Sequence, residues 1–194
     1  MTLHPFRVDD LPAMPWKNGG GVTREIVCQP PGAGMDDFDW RVSIAHIGSD
    51  GPFSTFPGVD RVITLLNGGG VHLQSSEGHV DHLLDTPLAP FAFAGEAPIH
   101  ARLLQGDCHD FNVMTRRATC SASLQVVRGV CNWPAASQGL FMAVQGHWEL
   151  EGELCEHLSP QQGLWWTHAS LAWQLRPQSA DATLLALNLH SHKL

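Results

Sequence analysis

The chain has 194 residues, of which 43% are hydrophobic and 15% charged, with a formal net charge of −8. Such a composition is globular, a chain of this length can bury roughly 70% of its unfolded surface, and the acidic balance repels phosphate backbones and anionic lipid heads. The 11 Lys and Arg form no run longer than Arg116-Arg117, so neither nucleic acid nor a membrane is an expected partner. The five cysteines (Cys28, Cys108, Cys120, Cys131, Cys155) are scattered without a Cys-x-x-Cys pair, which points to reduced, mostly buried thiols. Residues 1–10 carry a proline, an arginine and two aspartates where a signal peptide needs an apolar run. No segment approaches the roughly 20 apolar residues of a membrane span. A cytoplasmic location is expected.

Nineteen glycines and thirteen prolines cut the sequence into short apolar stretches, few of which hold a helical period. The expected class is all-β. Strands are predicted over 22–28, 40–47, 61–66, 71–74, 91–94, 101–104 and 110–115, each bounded by Gly, Pro, Asp or Asn. A second set is predicted over 123–128, 140–145, 148–150, 164–166, 172–175 and 183–189, with a turn-rich stretch at 129–139 that includes Trp133-Pro134. Both sets contain a strand, a Gly turn, a hairpin and a returning strand, so the expectation is two β-barrels of one jelly-roll-like plan in tandem. The predicted domains are 1–118, an N-terminal barrel with a ligand pocket, and 119–194, a C-terminal barrel.

Met14 to Ile26 holds three successive glycines, Gly19 to Gly21, beside Lys17 and Asn18, two donors at a loop that leads into a strand. A phosphate loop would place its Lys after the glycines and continue as a helix, and here a β-branched strand follows. In 40–45, the period of two puts Arg41, Ser43 and Ala45 on one face and Trp40, Val42 and Ile44 on the other. Likewise Glu25 shares a face with Thr23, and Asp110 with Asn112 and Met114. If these faces turn inward, one interior holds mixed charges that must pair or meet a ligand. The candidate ligand-binding residues are therefore Lys17, Asn18, Glu25, Arg41, Ser43, Arg61, Asp110 and Asn112. A structural ion-pair network and a barrel-closing turn are the competing readings of the same residues.

Gly48 to Gly68 has the spacing of the first cupin motif, Gly-x5-His-x-His-x(3–4)-Glu-x6-Gly, and reads Gly48, Ser54, Phe56, Arg61, Gly68. The turn glycines remain while the three ligand positions hold a weak neutral donor, an apolar ring and a permanent cation. His100 stands near the remaining histidine position in a fainter second motif at 95–100, and one histidine does not make a metal site. No metal, no cofactor and no catalytic residue is expected.

With these segments, 15–26 (PWKNGGGVTREI), 40–45 (WRVSIA), 51–66 (GPFSTFPGVDRVITLL), 91–95 (FAFAG) and 110–116 (DFNVMTR), the chain resembles the HutD/Ves family of bicupin proteins. The match is specific over about residues 10–118 and rests on length and strand layout beyond. The resemblance implies a bicupin fold and a bacterial cytoplasmic protein, often encoded beside histidine-utilisation enzymes, without established catalysis. It further implies a role in tuning histidine catabolism by binding a pathway metabolite. Urocanate and N-formylglutamate are small carboxylates that Arg41 or Arg61 could hold through two parallel N–H···O bonds.

Three functional classes follow: a non-enzymatic metabolite-binding regulator, a metal-independent isomerase or hydrolase using Glu25 or Asp110 as base, and a structural or interaction module. Of twelve histidines only His79/His82 and His190/His192 are close pairs, the latter expected in a frayed tail. Trp148, Trp165 and Trp166 are expected to pack in a core or a homodimer interface.

Overall fold

The computed structural model describes residues 2–192, and its only helical turn is a short 3-10 segment at Val8–Asp10. In chain order the strands are β1 (Leu3–Arg7), β2 (Ala13–Pro15), β3 (Gly21–Gln29), β4 (Trp40–Ile47), β5 (Gly51–Pro52) and β6 (Val59–Gly68). They continue as β7 (Val71–Ser75), β8 (Asp81–Leu84), β9 (Phe91–Ala94), β10 (Ile99–Leu103), β11 (Cys108–Arg116) and β12 (Cys120–Val127). The last are β13 (Cys131–Gln145), β14 (Trp148–Glu151), β15 (Cys155–Leu158), β16 (Gln162–Pro177) and β17 (Thr183–Ser191). The all-β class stands. No helix of the described residues is long and apolar enough to cross a membrane.

The chain divides into two compact units, one formed by Pro12–Ser121 and the other by residues 2–11 with 122–192. The division therefore differs at its start from the linear split 1–118 and 119–194, because β1 pairs antiparallel with β16, Leu3 opposite Trp166 and Arg7 opposite Gln162. A five-residue strand whose partner begins only at Gln162 carries no local signal of that pairing.

In the first unit, a six-stranded sheet runs in the order β2-β3-β4-β11-β6-β9 and a four-stranded sheet in the order β5-β10-β7-β8. Alternation decides which side chains meet. On β4 the even positions Trp40, Val42 and Ile44 are buried on one face, while Arg41, Ser43 and Ala45 are buried on the other. On β11, Asp110 lies opposite Ala45, Asn112 opposite Ser43 and Met114 opposite Arg41. The other edge of β11 sets Met114 against Arg61 of β6. The two arginines thus flank one methionine on the same face of three neighbouring strands. An apolar cluster including Ile47, Ile63, Leu65, Leu73 and Ile99 fills the adjoining interior.

In the second unit, one sheet follows the order β12-β17-β13-β16-β14-β15 with β1 attached to β16. Stretch 129–139, expected as a turn-rich connection, mostly belongs to β13, whose register shifts between Trp133 and Ala136 and again before Gln138. Those bulges accommodate Pro134, which cannot donate to a ladder. Segments 164–166 and 172–175 are one strand, β16, and His168 within it has a φ of 59°. The polar stretch around His168 masks that continuity in the sequence. His190 is the penultimate residue of β17 and not part of a frayed tail.

The tryptophans explain the packing of this unit. Trp133, Trp148, Trp166 and Trp173 are buried in one cluster with Phe141, and the Trp166 indole nitrogen donates to the Ala136 carbonyl at 3.0 Å. A Cβ on Gly139 would collide with the Trp166 ring, so only glycine fits beneath it. Trp165 points the other way along the strand and stacks on His4, with ring centroids 3.9 Å apart. Core packing therefore accounts for Trp148 and Trp166, and β1 accounts for Trp165. Trp166→Ala is expected to cost about 3–5 kcal/mol in chemical denaturation, the range for truncating a buried aromatic, whereas Trp165→Ala should cost clearly less. Equal losses would contradict this core assignment.

Candidate functional site

The inward face of β3, β4, β11 and β6 opens into a cavity of about 640 Å³ in the first unit. Of the eight residues expected at a binding site, Lys17, Asn18, Arg41, Ser43, Arg61, Asp110 and Asn112 line it. Glu25 is not among the lining residues. It stands beside the cavity as the partner of Arg41, with Oε2 2.6 Å from Arg41 Nε. Lys17 and Asn18 are exposed at the rim, and Asn18 Oδ1 accepts from the Gly20 amide at 3.0 Å.

The rim is a built turn. Trp16 donates its backbone N–H to the Gly21 carbonyl, the Gly20 carbonyl accepts from Gly48 and Ser49, and the Trp16 indole donates to Thr23 Oγ1 at 2.7 Å. Gly19 has a φ of 73°, which favours glycine, and a Cβ on Gly21 would strike the His46 carbonyl. Two glycines are thus required for the segment to close against β4. Trp16 also meets Phe53 edge to face, 6.4 Å between centroids, which ties the rim to the loop carrying Ser54 and Phe56.

The two arginines have different environments. Arg41 is 6% exposed and its charge is answered by Glu25, with one terminal nitrogen 4.0 Å from Met114 Sδ. Arg61 is also 6% exposed, but among the described residues no carboxylate forms a salt bridge with it, and its Nε has no hydrogen-bond partner. Instead the guanidinium lies 5.2 Å from the Phe53 centroid, 5.8 Å from Phe56 and 5.1 Å from Phe93. Ring quadrupoles stabilise a desolvated cation by about 2 kcal/mol each, short of replacing lost hydration. Burial accordingly pulls the Arg61 pKa down to about 10, with Asp110 opposing that shift and Arg41 adding to it.

Asp110 is the acidic counterpart, 2% exposed on the same face. Burial drives its carboxyl up to about 7, and the attraction of Arg61 offsets only part of that. Next to it, Asn112 Oδ1 is buried without a partner. A confined site therefore offers an unanswered guanidinium, a carboxyl poised between its two forms near neutral pH, and an open acceptor. That set suits a small anion carrying its own hydrogen-bonding groups, and it also contains a group able to move a proton.

The cupin frame is visible in three dimensions. Ser54, Phe56 and Arg61 all line this cavity, while His100 is exposed on β10, where it pairs with Pro52 and Gln74. A divalent ion does not fit here: Phe56 has no lone pair, Arg61 is a cation and the histidine is elsewhere. Sequence reasoning missed Phe53 and Phe93 as partners of Arg61. Phe93 is opposite Arg61 only through the β6–β9 register, which no local pattern encodes.

A family model described as HutD matches residues 8–185. Protein Ves of Cronobacter sakazakii is 43% identical over 166 residues, 85% of this chain and 87% of that protein. The structure of HutD from Pseudomonas fluorescens SBW25, in a formate condition, superposes with a TM-score of 0.84 at 34% identity, covering 99% of this chain and all of that one. An oxalate decarboxylase from Lactobacillus farciminis, solved as a formate complex, shares the fold with a TM-score of 0.66 at 10% identity, over 97% of this chain and 88% of that one. Similarity to this decarboxylase places the chain among cupin-like β folds.

The raised Asp110 pKa has a stability consequence. Between the carboxyl's unfolded value of about 4 and its folded value of about 7, the native state holds a proton that the unfolded state has released. Native stability from this group is therefore present below about pH 4 and falls as pH rises to about 7, by a few kcal/mol. Asp110→Asn should remove that dependence, so that its stability relative to wild type improves across the same interval in denaturation series at several pH values. A constant difference from pH 4 to 8 would show that Asp110 is already ionised in the folded chain.

Proposed function

The chain belongs to the HutD family, and we propose that it is a non-catalytic bicupin of the cytoplasm whose first unit binds a small carboxylate metabolite and so modulates histidine utilisation. The observation that carries this reading is Arg61, a buried guanidinium with an orphaned Nε facing a cavity of about 640 Å³. A carboxylate can accept two parallel bonds from such a fork, returning to the cation what burial removed. Urocanate and N-formylglutamate fit as candidates, since each joins a carboxylate to groups that can bond with Asn112 and Asp110. In this reading the second unit is a structural barrel of the same plan, its interior taken up by the tryptophan cluster.

A second reading is favoured by one observation, the Asp110 carboxyl held at about 7. An acid titrating there could serve as the proton-transfer group of a metal-independent isomerase or hydrolase, with an arginine holding the oxyanion. Incubating purified protein with pathway carboxylates and following their loss by chromatography separates the two, because the binding reading predicts no turnover.

Binding should appear as added stability. At a ligand concentration of about 100 times Kd the native state gains roughly 2.7 kcal/mol, a rise in melting temperature of about 5–10 °C for a chain of this size. Arg61→Ala and Arg41→Ala should each weaken binding by about 1.5–3 kcal/mol. Arg41→Lys should restore only part, since an ammonium keeps the charge and loses the fork. If millimolar urocanate and N-formylglutamate both leave the melt unchanged while the two Ala variants are merely less stable, the arginines are structural and the reading fails.

A further inference from the structure

The β14–β15 hairpin of the second unit carries an unusual set of side chains. Its register places Glu149 opposite His157 and Glu151 opposite Cys155, so all four project from one face. The opposite face carries Trp148, Leu150 and Leu158 into the core, which fixes the orientation of the hairpin. Glu151 is already engaged, its carboxylate 2.9 Å from Arg176 Nε. Glu149 is held differently: Gln178 donates to its Oε2 at 2.7 Å, while Cys155 Sγ lies 3.7 Å from its Oε1. The ligand atoms of Glu149, Cys155 and His157 all fall within 4.8 Å of one another.

One thiol, one imidazole and one carboxylate at that spacing make a donor set of mixed softness. Hard ions such as Ca²⁺ and Mg²⁺ select oxygen shells, whereas sulfur and nitrogen together select zinc and its neighbours. Ligand bonds of about 2.0–2.3 Å put tetrahedral donors roughly 3.5 Å apart. Surface side chains at the edge of a sheet can close the remaining ångström by rotamer changes. The amide of Gln178 meanwhile orients the carboxylate from behind, as outer partners of metal ligands do.

We propose that Glu149, Cys155 and His157 form a Zn²⁺-class metal site on the β14–β15 hairpin, with the fourth position open to solvent. Loading forms a metal–sulfur bond as the Cys155 thiol releases its proton to water, with no change of oxidation state. The site is separate from the cupin position, where Ser54, Phe56 and Arg61 stand. The proposal departs from the expectation of a metal-free chain, which rests on that position.

Titration of the full-length, reduced protein with Co²⁺ tests the proposal, with binding read from the thiolate-to-cobalt charge-transfer absorption and from its loss when Zn²⁺ is added. The wild-type chain should show a saturable band at one equivalent. Cys155→Ser should abolish it, His157→Ala and Glu149→Gln should each weaken Co²⁺ binding at least about 10-fold, and Gln178→Ala about 10-fold. Cys131→Ser should leave it unchanged. Because Cys155 and His157 are exposed, circular dichroism of these variants should match wild type, so a lost band reports ligation rather than unfolding. The proposal is overturned if wild type gives no band, if the band survives in Cys155→Ser, or if it is indifferent to both His157→Ala and Glu149→Gln.

Discussion

A guanidinium removed from water without a counter-ion is the constraint around which the first unit is organised. Arg61 sits among three phenyl rings, within the field of a carboxyl that does not pair with it, and its Nε is left without an acceptor. Replacing a lone buried ion with a hydrophobic residue of similar volume would ordinarily stabilise a fold. Its presence in the lining of a cavity is a cost to the fold, and the proposed carboxylate would supply the missing acceptor.

The surrounding structure follows from that cation. The β6–β9 register brings Phe93 beside it, the loop between β5 and β6 brings Phe53 and Phe56, and β11 places Met114 between the two arginines. Glu25 engages Arg41, which leaves Arg61 as the unanswered charge. The Asp110 carboxyl is shifted far enough to be partly neutral near physiological pH, so its attraction for Arg61 is incomplete and a bound anion would not face a full negative charge. At the cupin-spaced positions Ser54, Phe56 and Arg61 the first unit thus presents a fixed organic cation beside an aromatic ring.

Much of the site was legible because alternation is a local property. The period of two assigned Arg41 and Ser43 to one face, and Asp110, Asn112 and Met114 to one face, and a one-residue slip would have inverted both. The cupin spacing picked out Ser54, Phe56 and Arg61 together, and all three line the cavity. What stayed hidden depends on long-range pairing: Phe93 against Arg61 and β1 against β16. Glu25 shows the limit of the rule, since sharing the face with Thr23 did not decide whether it would line the cavity or bind Arg41. In the second unit, the bulged passage of β13 past Pro134 and the polar middle of β16 resemble turns in composition while remaining strands in pairing.

The central claim is that Arg61 waits for an acceptor, and the most direct measurement is the ¹H–¹⁵N resonance of its Nε–H, assigned by comparison with an Arg61→Lys variant. In the free protein this resonance should lack the downfield position of a charge-assisted hydrogen bond, and added urocanate or N-formylglutamate should move it downfield in a saturable way while those of Arg116 and Arg117, whose Nε groups donate to the Phe38 carbonyl and to Asp60, stay in place. A resonance already downfield without ligand and unmoved by either carboxylate would show that the cation is satisfied within the fold, and would contradict the account.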